Sequence, residues 1–295
     1  MCWTDWMSRR TQNALTIDVE DYWSIFSRDW LGKLSEPSDA AVRNTEWFLE
    51  TLSDHGVKAT FFVLGEVAEK FPALIKRIAE EGHEIGVHGF HHKQIFRLTE
   101  SEFRQEVGNC KRLIEDTISG VVAGHRAPAF SMTPQTKWAL EILADEGFGY
   151  DSSVFPISGK RYGWPAFGGD IRKIDLPSGR NIIEVPMSTV TVLGKTFPAA
   201  GGGYIRHFPY AVTKWTINHI RKKRPAIVYM HPYEVDTEPK VFDTEHLARQ
   251  KKTRAMKFHR MQMRNRNTVA GKLIRLLSDF EFTTIGEVIG KVITD

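Results

Sequence analysis

His83-Glu84-Ile85-Gly86-Val87-His88-Gly89-Phe90-His91-His92 is a short strand-like run that ends in a cluster of imidazoles. His88 and His92 stand four residues apart. If the chain turns helically once after Val87, both rings face one side with Cβ atoms roughly 5–6 Å apart, near enough to share one metal ion. A lone His-x-x-x-His fits two surface histidines at a strand end equally well, so its meaning depends on the rest of the chain.

Working outward, the run closes a β/α unit that recurs. A helix over residues 71–81 stops at Gly82 before the strand 84–88. Upstream, residues 39–55 place Val42, Thr45, Phe48, Leu49 and Leu52 at helical spacing, Gly56 ends them, and 57–64 reads as a buried strand. Downstream, the helix 102–118 opens with the capping box Thr99/Glu102 and ends at Gly120 before a strand at 121–123. A further helix, 134–146, leads through Gly147 to the strand 148–151. Residues 14–20 alternate, with Leu15, Ile17 and Val19 on one face and Thr16, Asp18 and Glu20 on the other. A buried strand face seldom carries carboxylates without a partner charge or a metal. Asp21 follows at the strand end.

Between 155 and 208 the periodicity gives way to glycine, proline and aromatic residues, read as loops with short antiparallel strands at 182–186 and 189–193. A helix over 209–221, a buried strand 226–230 ending at His231, an amphipathic helix 269–277 and a last strand-helix pair over 280–293 complete the chain. This is an α/β pattern. It favours a parallel sheet closed into a barrel, with the site at the strands' C-terminal ends. A doubly wound open sheet is the competitor, but no Gly-x-Gly-x-x-Gly follows any strand.

The composition, 41% hydrophobic and 26% charged, belongs to a globular protein. Forty basic and 36 acidic residues leave a net charge of +4, which implies no nucleic-acid partner. The basic charge is uneven: residues 249–275 hold ten Lys or Arg and no acid, and 221–224 adds a tight cluster. Such a segment is either a solvated face or mobile loop, or a contact for an anionic glycan or membrane surface. Cys2 and Cys110 are the only cysteines, so no disulfide framework or thiolate site is available. With no signal-like or membrane-length apolar run, the expected location is cytoplasmic, with a peripheral place at the inner membrane as the variant that the basic segment allows.

The polar residues at strand ends are Asp18, Glu20, His88 with His92, Arg126, Asp151 and His231. Two imidazoles and a carboxylate around a divalent metal leave an open position for water, as in catalytic zinc sites. A second carboxylate then takes the water's proton, and a histidine opposite protonates the leaving group.

Five segments carry a family resemblance: Thr-Ile-Asp-Val-Glu-Asp (16–21), His-Gly-Phe-His-His (88–92), His-Arg-Ala-Pro-Ala-Phe (125–130), Tyr-Asp-Ser-Ser (150–153) and Ile-Val-Tyr-Met-His-Pro (227–232). In that order they resemble the five motifs of the NodB-homology polysaccharide deacetylases, family four of the carbohydrate esterases. Glu184-Val185-Pro186, residues 201–204, His231-Pro232-Tyr233-Glu234 and Phe282-Thr283-Thr284-Ile285 look like the branch from exopolysaccharide loci associated with exosortase and PEP-CTERM sorting.

The resemblance implies a distorted (β/α) barrel of the NodB deacetylase type, with additional short antiparallel strands and a C-terminal extension from about residue 232. The whole would form one domain over 14–295 behind a tail over 1–13. It implies Asp18 as general base, held by Arg126; a carboxylate after it, with His88 and His92, as ligands of a divalent metal, Zn2+ foremost, with Co2+, Ni2+ or Mn2+ as others; and His231 as general acid, oriented by Asp151. Most members carry adjacent aspartates in the first motif. Asp-Val-Glu-Asp departs from this, so Asp21 competes with Glu20; strand alternation, which puts Glu20 on the face of Asp18, favours Glu20. Pro128, Tyr204 and Glu234 are candidate substrate contacts, and Trp164, Phe167 and Tyr204 lie where an aromatic sugar platform could form.

The activity implied is metal-dependent removal of N-acetyl groups from amino sugars of an exopolysaccharide or its precursor. The implied partners are an N-acetylated glycan, exopolysaccharide synthesis machinery and, through 249–275, a membrane surface. A metal-independent amidase acting on a small ureide or cyclic amide, and a non-catalytic glycan-binding subunit, are the rivals.

Overall fold

The computed structural model describes residues 12–159 and 162–294. Cys2, Trp3, Trp6, Met7 and the rest of the expected tail up to residue 11 lie outside the described residues. The first strand already includes Asn13.

The elements run in order as β1 (Asn13–Val19), α1 (Tyr22–Phe26), α2 (Asp39–Asp54), β2 (Thr60–Val63), α3 (Gly65–Lys70), α4 (Pro72–Glu80), β3 (Glu84–Val87), α5 (Glu100–Ile118), β4 (Gly124–His125), α6 (Ala139–Asp145) and β5 (Tyr150–Asp151). They continue with β6 (Arg172–Asp175), β7 (Asn181–Glu184), β8 (Thr189–Val192), β9 (Lys195–Pro198), α7 (Gly202–His207), α8 (Tyr210–Ile220), β10 (Ile227–Met230), α9 (Arg249–Met263), α10 (Val269–Asp279), β11 (Phe282–Thr283) and α11 (Ile285–Thr294).

Among the described residues nine strands form one curled sheet in the order β10-β1-β2-β3-β4-β5-β7-β6, with β11 on the start of β1. All neighbours are parallel except β6 and β7. The α/β architecture follows the sequence pattern, but among the described residues β10 and β6 do not pair, so the sheet remains an open half-barrel. The segment expected as an antiparallel strand beside the barrel at 182–186 is instead part of the main sheet: β7 lies parallel to β5 and antiparallel only to β6. β8 and β9 form a separate hairpin.

Strands β1 and β2 are buried along their whole length: Leu15, Ile17, Phe61 and Val63 join one apolar cluster, and Ala14 and Phe62 join a second with Phe130 and Phe155. Phe48, Leu49 and Leu52 of α2, Ile75 and Ile78 of α4, and Phe103 and Val107 of α5 join Leu15, Ile17, Phe61 and Val63 in the main core. The capping box at Thr99 forms as expected, one turn position earlier than the apolar stripe suggests. β4 begins three residues later than expected, because Val121 is solvent-exposed and pairing with β3 starts at Gly124. There a Cβ would fall 2.3 Å from the Tyr150 ring, so only glycine lets β4 and β5 approach.

Register brings three ionisable side chains together at the ends of β4, β5 and β7: His125 stands opposite Asp151, and Asp151 opposite Glu184. All three are fully buried. Asp151 Oδ1 accepts from His125 Nδ1 (2.7 Å) and from the Ser153 hydroxyl (2.6 Å), while Glu184 Oε1 accepts the Val154 amide (2.8 Å). Burial, followed by the charge and hydrogen bond of Asp151, pushes Glu184 well above the carboxylate range.

A carboxyl whose folded pKa is raised contributes stability that is full below its unfolded value and is lost as pH rises toward the folded one. Unfolding in urea is therefore expected to show wild-type stability falling between about pH 5 and pH 8 by more than that of Glu184→Gln, whose amide keeps the donor without titrating. Glu184→Ala, which strands the Asp151 oxygen, is expected to cost about 1–3 kcal/mol at either pH. Equal pH slopes in wild type and Gln variant would show that Glu184 is ionised.

Candidate metal and catalytic site

The C-terminal ends of β1, β3, β4 and β10 converge on one cleft of about 640 Å³, whose lining includes Asp18, Glu20, His88, His92 and His231. The turn after β3 is not the single helical turn expected from the sequence. Gly89 (φ +77°) and His92 (φ +55°) both take left-handed backbone, which doubles the chain back so that the two imidazole rings lie 5.6 Å apart. A non-glycine residue in that region stores strain that the surroundings must hold, a common feature of functional sites.

His88 Nδ1 lies 2.8 Å from the Arg126 carbonyl. A carbonyl only accepts, so Nδ1 carries the proton and Nε2 presents a lone pair to the cleft. That nitrogen is 2.9 Å from Glu20 Oε1, and His92 Nε2 is 3.1 Å from the same oxygen. Ligand atoms of all three residues lie within 4.8 Å of one another. A lone pair aimed at a carboxylate oxygen is repulsive unless a cation joins them, so this donor set fits a divalent ion. Two nitrogens and one oxygen leave further positions open, the arrangement of catalytic sites. Burial raises Glu20, but the charges of His92 and His231 outweigh it and hold the carboxyl well below its usual range.

Asp21 is turned away: its carboxylate accepts the Ser24 amide (2.8 Å) as the N-cap of α1 and the Ser38 hydroxyl (2.8 Å). Glu20 is therefore the carboxylate beside the histidine pair.

Arg126 is fully buried above the Phe62 ring (4.2 Å). It donates to Asp18 Oδ1 (2.7 Å), Thr16 Oγ1 (2.7 Å) and both the carbonyl and the hydroxyl of Ser152 (3.0 Å each). The fork leaves Asp18 Oδ2 facing His231 Nε2 at 4.0 Å.

Behind His231, the expected partner Asp151 is absent. It bonds His125 instead, and four strands of the sheet order separate β5 from β10. The carboxylate at His231 Nδ1 is Glu234 (3.4 Å), which also accepts the His231 amide (3.2 Å) and meets Arg206 (3.4 Å) from α7. Burial lowers the His231 pKa, but Glu20, Glu234 and Asp18 outweigh it and raise the imidazole to about 9. Tyr233 stacks on the imidazole (4.8 Å between centroids, 17° between planes).

Three expected substrate contacts fall elsewhere. Glu234 is fully buried behind His231. Pro128 is buried in the turn Pro128–Phe130 and packs behind Gly89, leaving Ala127, Ala129 and Phe130 to line the cleft. Tyr204 sits on α7 in an apolar cluster, and its neighbour Tyr162 reaches the cleft. Trp164 and Phe167 pack on each other (5.2 Å) and on the core, so they form no sugar platform. The aromatic wall comes instead from α1 and the π-helical turn Ser27–Leu31, together with α9, where Trp30 stacks on Phe258 (4.3 Å).

The sequence reading missed Arg206, Tyr22 and Tyr233 as supports of the site. The first two carried no positional signal. The three-residue step from His231 to Glu234 did: it is a capping-box spacing directly after a strand.

Residues 37–147 match the polysaccharide deacetylase family model, and residues 152–290 match a domain of unknown function, DUF3473. Residues 37–147 therefore carry a polysaccharide deacetylase domain, followed by the DUF3473 region. A peptidoglycan-N-acetylglucosamine deacetylase of Bacillus cereus is 41% identical over 104 residues, 33% of this chain and 36% of the relative. A chitooligosaccharide deacetylase of Bradyrhizobium sp. is 31% identical over 96 residues, 32% of this chain and 42% of the relative. In three dimensions, the crystal structure of an assigned polysaccharide deacetylase from Mycobacterium smegmatis superposes with a TM-score of 0.62 at 18% identity, covering 100% of this chain and 93% of that one. The chain spans less than half the length of the curated relatives it matches.

Proposed function

We propose that this protein is a divalent-metal-dependent hydrolase that removes the N-acetyl group from an amino sugar of an exopolysaccharide or its precursor. The observation that carries the reading is the convergence of Glu20, His88 and His92 beside an arginine-held Asp18 that faces His231. When bound, the ion polarises the acetyl carbonyl and eases deprotonation of water.

Asp18 accepts the proton of the attacking water as its oxygen bonds to the acetyl carbon. Arg126 fixes that carboxylate through Oδ1, so that Oδ2 points at the reacting atoms. His231, charged and held by Glu234, then gives its proton to the sugar nitrogen as the C–N bond breaks and acetate departs. Zn2+ suits the mixed nitrogen and oxygen donors best, with Co2+, Ni2+ and Mn2+ as substitutes.

The exopolysaccharide assignment is supported by the likeness of the C-terminal half to the exosortase-associated branch. A place at the inner face of the membrane, beside the synthesis machinery, fits that substrate. No helix among the described residues is long and apolar enough to cross a membrane.

Chelation is expected to abolish acetate release from N-acetylglucosamine oligomers, and zinc or cobalt to restore it. Release indifferent to chelator would sink the metal-dependent reading.

A further inference from the structure

The cleft that holds the histidine pair is basic at its mouth. Arg97, after β3, and Lys251 and Arg254, on α9, line it and are exposed. Among the described residues none of the three has an ion-pair partner, whereas some other surface cations do, such as Arg43 with Glu238, Arg77 with Glu46 and Glu81, and Arg104 with Asp145 and Glu146. Arg28, also in the lining, is already matched by Glu66 (3.0 Å). Asp18 is matched by Arg126, Asp29 stands 4.0 Å from Arg28, and Glu20 belongs to the histidine pair, so none of the cleft's own carboxylates pairs with these cations.

Arg254 also borders a second depression, on the outer surface of α9, with Arg249 and Lys257. A basic track therefore leads from the acetyl-binding centre out over the helix. α9 contains six Lys or Arg and no acid. Lys251, Arg254, Lys257 and Arg260 follow one another at three-residue steps, a spacing at which like charges repel. Such a run lowers helix stability on its own, and an anionic ligand laid along it relieves the repulsion.

We propose that the substrate is an acidic glycan, in which the acetamido sugar sits at Glu20, His88 and His92 while carboxylates of flanking sugars meet Arg97, Lys251 and Arg254. The placement of the acetamido sugar rests on the deacetylase reading. A glycan is favoured over a lipid surface because the cations open into the same cleft as the histidines. In addition, α9 turns Ala255 and Phe258 inward onto the cluster of Phe26, Trp30 and Tyr233 and leaves Met261 as its one large apolar side chain in solvent, too little for insertion into a bilayer.

Titration calorimetry on the zinc-loaded Asp18→Asn protein, which avoids turnover, tests this with two probes of equal length. One is a hyaluronan tetrasaccharide, in which N-acetylglucosamine alternates with glucuronate; the other is neutral chitotetraose. The expected result is at least tenfold tighter binding of hyaluronan at low salt, weakening as salt rises. Lys251→Glu/Arg254→Glu is expected to erase the preference, and Lys251→Gln/Arg254→Gln to reduce it. Lys222→Glu/Lys223→Glu, which changes net charge equally at the exposed cluster before β10, is expected to leave it intact.

Equal affinity for the two probes, or a preference that survives charge reversal on α9, overturns the proposal. So does pelleting with phosphatidylglycerol vesicles through α9 in place of any glycan preference. Acidic-glycan binding without acetate release from the wild type would instead leave this inference standing and remove the deacetylase reading.

Discussion

Asp18→Asn is expected to lower kcat/KM for acetate release by about a thousandfold, within the range that a positioned general base contributes, while leaving zinc affinity within about twofold of wild type. The split follows from the geometry. Asp18 lies on the same strand face as Glu20 but gives one oxygen to Arg126, at 2.7 Å, and turns the other toward His231. Asparagine fills the same volume but cannot accept a proton. Arg126→Lys is expected to fall short of wild type as well, because one ammonium cannot replace a fork that reaches Asp18, Thr16 and Ser152 together. An Asp18→Asn enzyme retaining a tenth or more of its activity would place the base elsewhere.

His231→Gln is expected to lose about 10²–10⁴ in kcat, the contribution typical of a general acid, and with it the alkaline limb of the pH profile. The imidazole must be protonated to deliver its proton, so activity falls as pH rises through its pKa. Glu234 is one of the carboxylates that raise that pKa. Glu234→Gln should therefore move the alkaline limb toward lower pH and reduce the pH-independent rate by less than His231→Gln does. Asp151→Asn, at the His125 and Glu184 cluster, should leave the limb where it is. A limb that moves with Asp151 and stays put with Glu234 would restore the pairing suggested by the motifs.

Period-two alternation made the acidic face of β1 legible, because Thr16, Asp18 and Glu20 at its end alternate with Leu15, Ile17 and Val19. The recurring helix-glycine-strand units likewise exposed the parallel sheet. What alternation does not carry is closure: whether β10 meets β6 depends on twist and strand number summed around the sheet, and no local pattern records it. The same blindness misassigned Asp151. Motif order placed it next to His231, whereas its neighbour was set by the two-residue register of β4 on β5. Residues 249–263 were ambiguous for another reason: a helix so basic has too few apolar positions to show a stripe, and its Ala255 and His259 become buried only against α1. The His88 and His92 pair was found by spacing through a wrong local geometry, since a left-handed bend rather than a helical turn brings the rings together.

The central claim is that Glu20, His88 and His92 hold one divalent ion beside Asp18 and His231. Anomalous diffraction at the zinc edge from crystals grown with zinc tests it most directly. A single strong peak is expected, bonded to Glu20, His88 Nε2 and His92 Nε2 at about 2.0–2.2 Å, with Asp21 still capping α1. A peak on Asp21 or among other surface histidines, with His88 and His92 free of metal, would contradict it.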